Sequence, residues 1–380
     1  MVKTFGGVVV VKVIQKRGLP DYQTFVGKGK LEEIREIAKE RDAQFVILNN
    51  IVKPAQIFNI NERLREDKIE AWDRIDLILK IFEKHAKSSE SKLQIELAQI
   101  RHMGPRIIGL GTELMQQKGV RGLRSGPGET NIEIMKRHLQ KQEQKIKEKL
   151  KHYQLINEGH RKRRRRQHFK TAALVGYTNA GKSTLLNALT GKKVYIADEL
   201  FATLDTRIAK MYIPETYQEV LISDTIGFIR DLPPDLIKAF KSTLSETMEA
   251  DLILHVIDVS DPMITQKIKI VEDILDQLGL TDKPKIYIFN KTDLIKKEPP
   301  KEIEEEQDYN ERPAGLLKAG KETAKILGWS EEDSKDLPPI SIAQLKRKYK
   351  KFSPIFVSIS TTQKENLNQL KEKIKELFIQ

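Results

Sequence analysis

Gly176, Tyr177, Thr178, Asn179, Ala180, Gly181, Lys182 and Ser183, followed by Thr184, have the spacing of a phosphate-binding loop. Glycines let backbone amides wrap phosphates, and the N-terminus of the following helix adds positive potential. In such a loop Lys182 reaches the β and γ phosphates and the Ser183 hydroxyl coordinates Mg²⁺. Further on, Asp224, Thr225, Ile226 and Gly227 close an apolar run. That places a carboxylate where it can hold the metal through water, and the Gly227 amide where it can sense the γ-phosphate. Asn290, Lys291, Thr292 and Asp293 close another run, and the Asp293 carboxylate matches the two N–H donors on the Watson–Crick edge of guanine. Adenine lacks that pair, and a site built for such donors rejects the analogue by about 10⁴ or more, which points to GTP over ATP.

Thr203, within Phe201, Ala202, Thr203, Leu204 and Asp205, lies between the phosphate loop and Asp224. A hydroxyl there completes the Mg²⁺ shell only while the γ-phosphate is present, which is the logic of a switch. The base-side loop falls on Ser360 and Thr361, or on Ser358 in a register two residues earlier. Lys182, Thr203 and Gly227 are thus the candidate catalytic groups. In Ras-type GTPases a glutamine directly after the Asp-x-x-Gly motif orients the attacking water, whereas this sequence has Phe228. Hydrolysis is therefore expected to be slow in isolation and completed by a partner.

The elements that must position these residues follow from periodicity. Near-continuous apolar runs at Ala172 to Val175, Val220 to Ile222, Leu252 to Val259 and Ile286 to Phe289, with a last strand at Ile355 to Ser358, predict a buried, mostly parallel sheet with helices on both faces. Upstream, Val8 to Ile14 and Phe45 to Leu48 alternate with helical stretches at Leu31 to Arg41 and Pro54 to Leu64, as in a small α/β unit. From Asp73 helical spacing takes over, with Ile78, Phe82 and His85 and then Leu93, Leu97 and Ile100 on one face of a long amphipathic helix. Seven glycines between Gly104 and Thr130 predict a break. A second long helix is expected from Thr130, with Thr130 and Glu133 at capping-box spacing, out to the six basic residues Arg161 to Arg166, and should pair antiparallel with the first. The expected domains are 1–72 (α/β), 73–166 (helical hairpin with basic linker) and 167–380 (P-loop domain). Between Lys296 and Phe352 the connection is too long for such a sheet and reads as a partly helical insertion.

A length of 380 residues suits at least two folding units, and 39% hydrophobic with 32% charged residues argues against wholesale disorder. The net charge of +13 fits a polyanionic partner, either nucleic acid or an anionic surface. With no cysteine there is no disulfide framework or thiolate metal site. No run approaches a membrane span, so the expectation is a cytoplasmic protein, monomeric when free.

Taken together, Phe25 to Lys30 (FVGKGK), Ser91 to Gln99 (SKLQIELAQ), Ser125 to Thr130 (SGPGET), Phe201 to Asp205 (FATLD) and Asp224 to Leu232 (DTIGFIRDL) resemble the HflX family of translation-associated GTPases over nearly the whole chain. The resemblance implies an N-terminal α/β subdomain, an antiparallel hairpin and a GTPase domain. It also implies binding to the large ribosomal subunit and its RNA, with splitting or rescue of ribosomes under stress. Ser183 and Thr203 would be the Mg²⁺ ligands and Asn290, Lys291 and Asp293 the guanine contacts. A hydrophobic residue at the position of Phe228 is a habit of that family. The chain departs from the family pattern after Asp205, at Thr361 and in the 296–352 insertion. Arg121 and Arg124, among the glycines, are the expected contacts to ribosomal RNA, whereas Arg161 to Arg166 read equally well as a solvated linker. A ribosome-assembly GTPase and a GTP-gated binding module with negligible turnover are the alternative functions.

Overall fold

The computed structural model describes residues 1–16, 18–117, 131–191, 207–213, 218–225, 227–228, 236, 241–295, 342–350 and 355–379. The described residues of Met1–Lys84 and Ile95–Glu148 form one compact unit, and those of His85–Gln94, Lys149–Glu298 and Ser334–Gln380 form another.

In the first unit α1 (Val2–Phe5) precedes an irregular stretch and α2 (Lys28–Glu40). Then β1 (Phe45–Ile47), α3 (Pro54–Leu64) and β2 (Glu70–Trp72) form a parallel pair with a helical crossover. Proline at the first helical position needs no amide partner, and the Gln56 carboxamide accepts from the Lys53 N–H, so α3 starts where the sequence says it should. Its buried Ile57, Ile60 and Leu64 pack with Leu31 and Ala38 of α2. The strand expected at Val8 to Ile14 does not form. The segment makes no sheet pairing, and Val8 through Val11 are exposed, because β propensity without a neighbouring edge yields no ladder.

The long helix expected from Asp73 is two helices, α4 (Arg74–His85) and α5 (Ser89–Gln117). The break lies at Ser88, whose hydroxyl accepts the Ser91 N–H at 3.0 Å and so caps α5. The break expected at Gly104 is also overturned, since α5 continues through Gly104, Gly109 and Gly111 to Gln117. Helix α6 (Asn131–Arg166) runs antiparallel to it. Arg101 pairs with Glu143 at 3.0 Å, while a Cβ at Gly104 would lie 3.7 Å from Leu139. The Thr130 cap and the glycines beyond 117 lie outside the described residues, as do Arg121 and Arg124.

Where α4 meets α5, Arg106 donates to Asp76 at 2.6 and 2.9 Å and to Asp73 at 2.6 Å, all three being buried. Asp73 also accepts the Ile75 and Asp76 amides, which starts α4. His102 stands 3.4 Å from Asp73 and 3.2 Å from Asp76. Burial alone would raise the Asp76 carboxyl, but His102 and Arg106 outweigh it and hold it at about 2. The same carboxylates raise His102 against the effect of its burial. These acids and the histidine are close enough to share a cation, yet the guanidinium already engages both carboxylates.

The second unit is a six-stranded sheet in the order β4-β5-β3-β6-β7-β8. Its elements are β3 (Lys170–Val175), α7 (Lys182–Thr190), β4 (Arg207–Ile213), β5 (Gln218–Asp224), α8 (Lys241–Glu249), β6 (Leu252–Asp258), α9 (Ile264–Gln277), β7 (Lys285–Asn290), α10 (Ile342–Tyr349), β8 (Ile355–Ser358) and α11 (Leu367–Ile379). Only β4 is antiparallel, pairing with β5 from Arg207↔Asp224 to Ile213↔Gln218. Its alternation of buried Ala209, Met211 and Ile213 with more exposed neighbours is that of an edge strand. Leu185, Leu186 and Leu189 of α7 pack on one face with Leu370 and Ile374 of α11. Ile264 and Ile268 of α9 pack on the other with Leu345 and Tyr349 of α10. Helix α10 is the described part of the expected insertion, and its two buried residues seat it on Tyr287 and Phe289.

Replacing Arg106 with leucine strands two buried carboxylates and should lower stability by about 3 to 5 kcal/mol, read by urea unfolding followed by far-UV circular dichroism. Asp76 titrates lower folded than unfolded, so its stabilisation is complete above about pH 4 and is lost as the pH falls toward 2 in the wild type. A variant that unfolds at the wild-type urea midpoint would show that the cluster holds nothing together.

Candidate nucleotide site

Four loops at the C-terminal ends of parallel strands converge where the strand order diverges from β3 toward β5 on one side and β6 on the other. The first joins β3 to α7. Gly181 caps α7 at φ 92°, a conformation that suits glycine, and a Cβ there would collide with the Asn290 amide. Thr178, Ala180 and Lys182 are buried, while Asn179 is exposed. The Lys182 ammonium donates to the carbonyls of Gly176 at 3.2 Å and Tyr177 at 3.0 Å. Burial pushes it down to about 8, with the Asp224 charge pulling the other way.

The second loop follows β5. The Ser183 hydroxyl donates to Asp224 Oδ2 at 2.6 Å, and the carboxylate is fully buried. A hydroxyl and a carboxylate in contact form an all-oxygen donor pair, the chemistry that a hard cation such as Mg²⁺ requires. Thr225 points the other way, its hydroxyl donating to the Leu174 carbonyl at 2.7 Å, so it ties β5 to β3. Gly227 lies against the phosphate loop, where a Cβ would stand 2.8 Å from the Thr178 methyl and 3.0 Å from Lys182 Nζ. Phe228 is buried, and its backbone bridges to the phosphate loop in both directions: Thr178 N donates to Phe228 O at 2.9 Å, and Phe228 N to Gly176 O at 3.1 Å.

The third and fourth loops meet through Asn290 and Asp293. Asn290 Nδ2 donates to the Ala180 carbonyl at 2.9 Å, while its Oδ1 accepts from the Thr361 amide at 3.3 Å and hydroxyl at 3.1 Å. Ser360 donates to Asp293 at 2.6 Å and holds that carboxyl below its usual range. Lys291, at φ 65°, pairs with Asp258 at 2.7 Å, and the Thr292 hydroxyl donates to the Ile359 carbonyl. Of the two registers open in the sequence, it is Ser360 and Thr361 that meet the Asn290 to Asp293 loop. Ser358 stays in β8, and its carbonyl accepts from Asn366.

Three participants were missed by sequence reasoning. Thr362 donates to Asp293 at 3.3 Å, Lys267 places its ammonium 4.7 Å from the Tyr177 ring centroid, and the Phe228 backbone seals the phosphate loop. Only long-range packing reveals them. Thr203 with Phe201, Ala202, Leu204 and Asp205, together with Ile226, lies outside the described residues.

A triphosphate prefers the protonated lysine. With Lys182 at about 8, affinity for GTP should fall about fourfold between pH 7 and 8.5. Titration of a fluorescent GTP analogue across that range checks it, and a flat profile would contradict the buried ammonium.

Three family models match in chain order: "GTP-binding GTPase N-terminal" over residues 1–83, "GTP-binding GTPase Middle Region" over 85–164 and "50S ribosome-binding GTPase" over 171–291. "GTPase HflX" of Caldanaerobacter subterraneus subsp. tengcongensis is 45% identical over 292 residues, covering 77% of this chain and 67% of that one. "GTPase HflX" of Escherichia coli K12 is 41% identical over 307 residues, covering 80% and 71%. Matches of this extent, on a P-loop fold with these four loops converging, place the chain in the HflX family of GTPases.

Proposed function

We propose that this GTPase associates with the large ribosomal subunit, hydrolyses GTP slowly by itself and faster on that subunit, and splits or rescues ribosomes. Its expected setting is the cytoplasm, as a monomer when free. Among the described residues no helix is long and apolar enough to cross a membrane.

The observation that carries the reading is Phe228. The position that would orient a hydrolytic water is filled by a buried apolar ring whose backbone is bonded to the phosphate loop on both sides. Among the described residues no amide or carboxylate is offered there, which favours a site completed by a group from a partner. The chain's net charge of +13 and its match to a model described as ribosome-binding support RNA as the main component of that partner.

Within the site, Lys182 binds the β and γ phosphates, the Gly227 amide reports the γ-phosphate, and Asp293 reads guanine with Ser360 orienting its carboxylate. Asn290 positions both loops and, buried as it is, acts through them. Ser183 and Thr203 would hold Mg²⁺, with Asp224 accepting from the metal's water. That ion supplies charge stabilisation at the phosphates when bound. The organisation we infer is a 1–72 α/β part, a 73–166 helical part and a 167–380 GTPase part.

Purified large subunits should raise the GTP turnover number by about 10² or more, the scale a completing partner supplies in such enzymes. Sedimentation of intact ribosomes with protein and GTP should yield free subunits. Turnover unchanged by subunits would overturn the reading, and selective binding to precursor particles would favour an assembly role. Asp293→Asn should weaken GTP binding by about 10² or more and favour xanthosine triphosphate, whose edge the amide matches. Undiminished GTP affinity in that variant would remove Asp293 from base recognition.

A further inference from the structure

The basic run that the sequence leaves ambiguous is divided by the structure into two sets of cations. Residues 161–166 are the last turns of α6, where positive charge suits the negative end of the helix. Arg161, Arg164 and Arg165 are spent on α8. Arg164 Nη2 lies 2.7 and 2.6 Å from the two oxygens of Glu246, and Arg161 and Arg165 each pair with Glu249 at 2.9 Å. Lys162, Arg163 and Arg166 are exposed, and none of them forms an ion pair among the described residues.

Two of these three lie on a longer outward line. Steps of three and four residues along α6 join Lys149, His152, Ile156, Gly159, Arg163 and Arg166 on one face, and all six are exposed. The line on the other side, through Leu150, Tyr153, Asn157, Arg161 and Arg164, is buried or half-buried. Lys149 and Arg163 stand about 21 Å apart along the helix axis. Between them the line carries no formal charge except a protonated His152, and at Gly159 a Cβ would meet nothing within 4 Å. Leu155 and Ile156 are 59% and 42% exposed beside that smooth stretch.

A rod with cations toward both ends and a smooth middle fits across a wide, shallow groove with phosphates on its two margins. The minor groove of A-form RNA is such a groove, and its floor shows 2′-hydroxyls and base edges. No Phe, Tyr or Trp stands on the line, and Tyr153 and Phe169 near it are half-buried, so the stacking that holds single strands is not offered there. Strand β3 starts at Lys170, shortly after α6 ends, and the phosphate loop follows the other end of β3, about 17 Å away. A polyanion on this line leaves the nucleotide site open.

We propose that the outer line of α6 from Lys149 to Arg166 docks an RNA duplex across its minor groove, with equal strength whichever nucleotide is bound. The cations take phosphates on both margins, while Ile156 and Gly159 lie over the groove. This rests on the reading that the chain works on the large ribosomal subunit, and it names a surface within that reading.

The test uses the full chain with a protein-free RNA duplex, one of its single strands, phosphatidylserine vesicles and purified large subunits as probes. The variant Lys149→Gln, Arg163→Gln, Arg166→Gln should keep its thermal midpoint and GTP affinity. It should lower the slope of log affinity for the duplex against log salt by about 2 to 3, equally with GDP and with a GTP analogue. Gly159→Glu favours the helix but sets a carboxylate over the groove, so it should keep the fold and weaken duplex binding at least about tenfold. An unchanged slope, a loss confined to one nucleotide state, undiminished binding by Gly159→Glu, or preference for the single strand or the vesicles each overturns the docking line. Each leaves the ribosome reading intact so long as subunits raise GTP turnover by the wild type. Subunits that neither bind nor stimulate the wild type overturn that reading, and the docking line with it.

Discussion

The carboxamide of Asn290 is the interaction on which the rest of the site depends. It is fully buried, and its polar atoms are spent on the Ala180 carbonyl and on the Thr361 amide and hydroxyl. The phosphate loop and the base-side loop are therefore one rigid body and not two strand ends that happen to be near each other. The join fixes the distance between Lys182 and Asp293, the groups proposed to hold the triphosphate and the guanine. Gly181 is required for the same reason, since any side chain there would occupy the space of the Asn290 amide. Aspartate at 290 would replace the donor to Ala180 with an acceptor and set two oxygens against each other at a fully buried position.

Against that fixed body lies a segment with less to hold it. Among the described residues Phe228 meets the phosphate loop through two backbone hydrogen bonds, its own side chain being an apolar ring, and Gly227 lies against Thr178 and Lys182. Backbone bonds of this kind can be exchanged for bonds to a phosphate at little net cost, whereas the buried Asn290 network cannot. In the function proposed above, the contrast divides the site into a stationary half and a half that responds to the γ-phosphate. Lys182 belongs to both, since its ammonium sits on the carbonyls of Gly176 and Tyr177 within reach of Gly227.

Periodicity and motif spacing were enough to locate the stationary half. The buried strands β3, β5, β6, β7 and β8 read as apolar runs because parallel strands covered on both faces admit little else, and the motif residues sit at their C-terminal ends. Less legible was β4, an edge strand whose alternation of Ala209, Met211 and Ile213, closed by Pro214, was open to reading but is a weaker signal than a continuous apolar run. The failures upstream have physical causes. Val8 to Ile14 has strand composition but no partner edge, a tertiary condition that composition does not encode. Gly104, Gly109 and Gly111 lower helix propensity, yet α5 packs against α6 and the tertiary contact outweighs the loss. The side-chain partners of Asp293, Thr362 among them, come from a strand end more than sixty residues away, as Ser360 does.

Charge in this chain does two different jobs, and burial separates them. Arg106 with Asp73 and Asp76 is enclosed, so each ion depends on the others, and no anion from outside can trade places with the carboxylates. Such a cluster fixes where α4 meets α5. The arginines at the end of α6 hold α8 with the same chemistry at partial exposure, where salt, phosphate and glutamate compete on similar terms. A net charge of +13 says nothing about which cations are available to a polyanion. The structure separates them: those sealed in place fix where α4 meets α5, and those left half exposed are the ones a polyanion can reach.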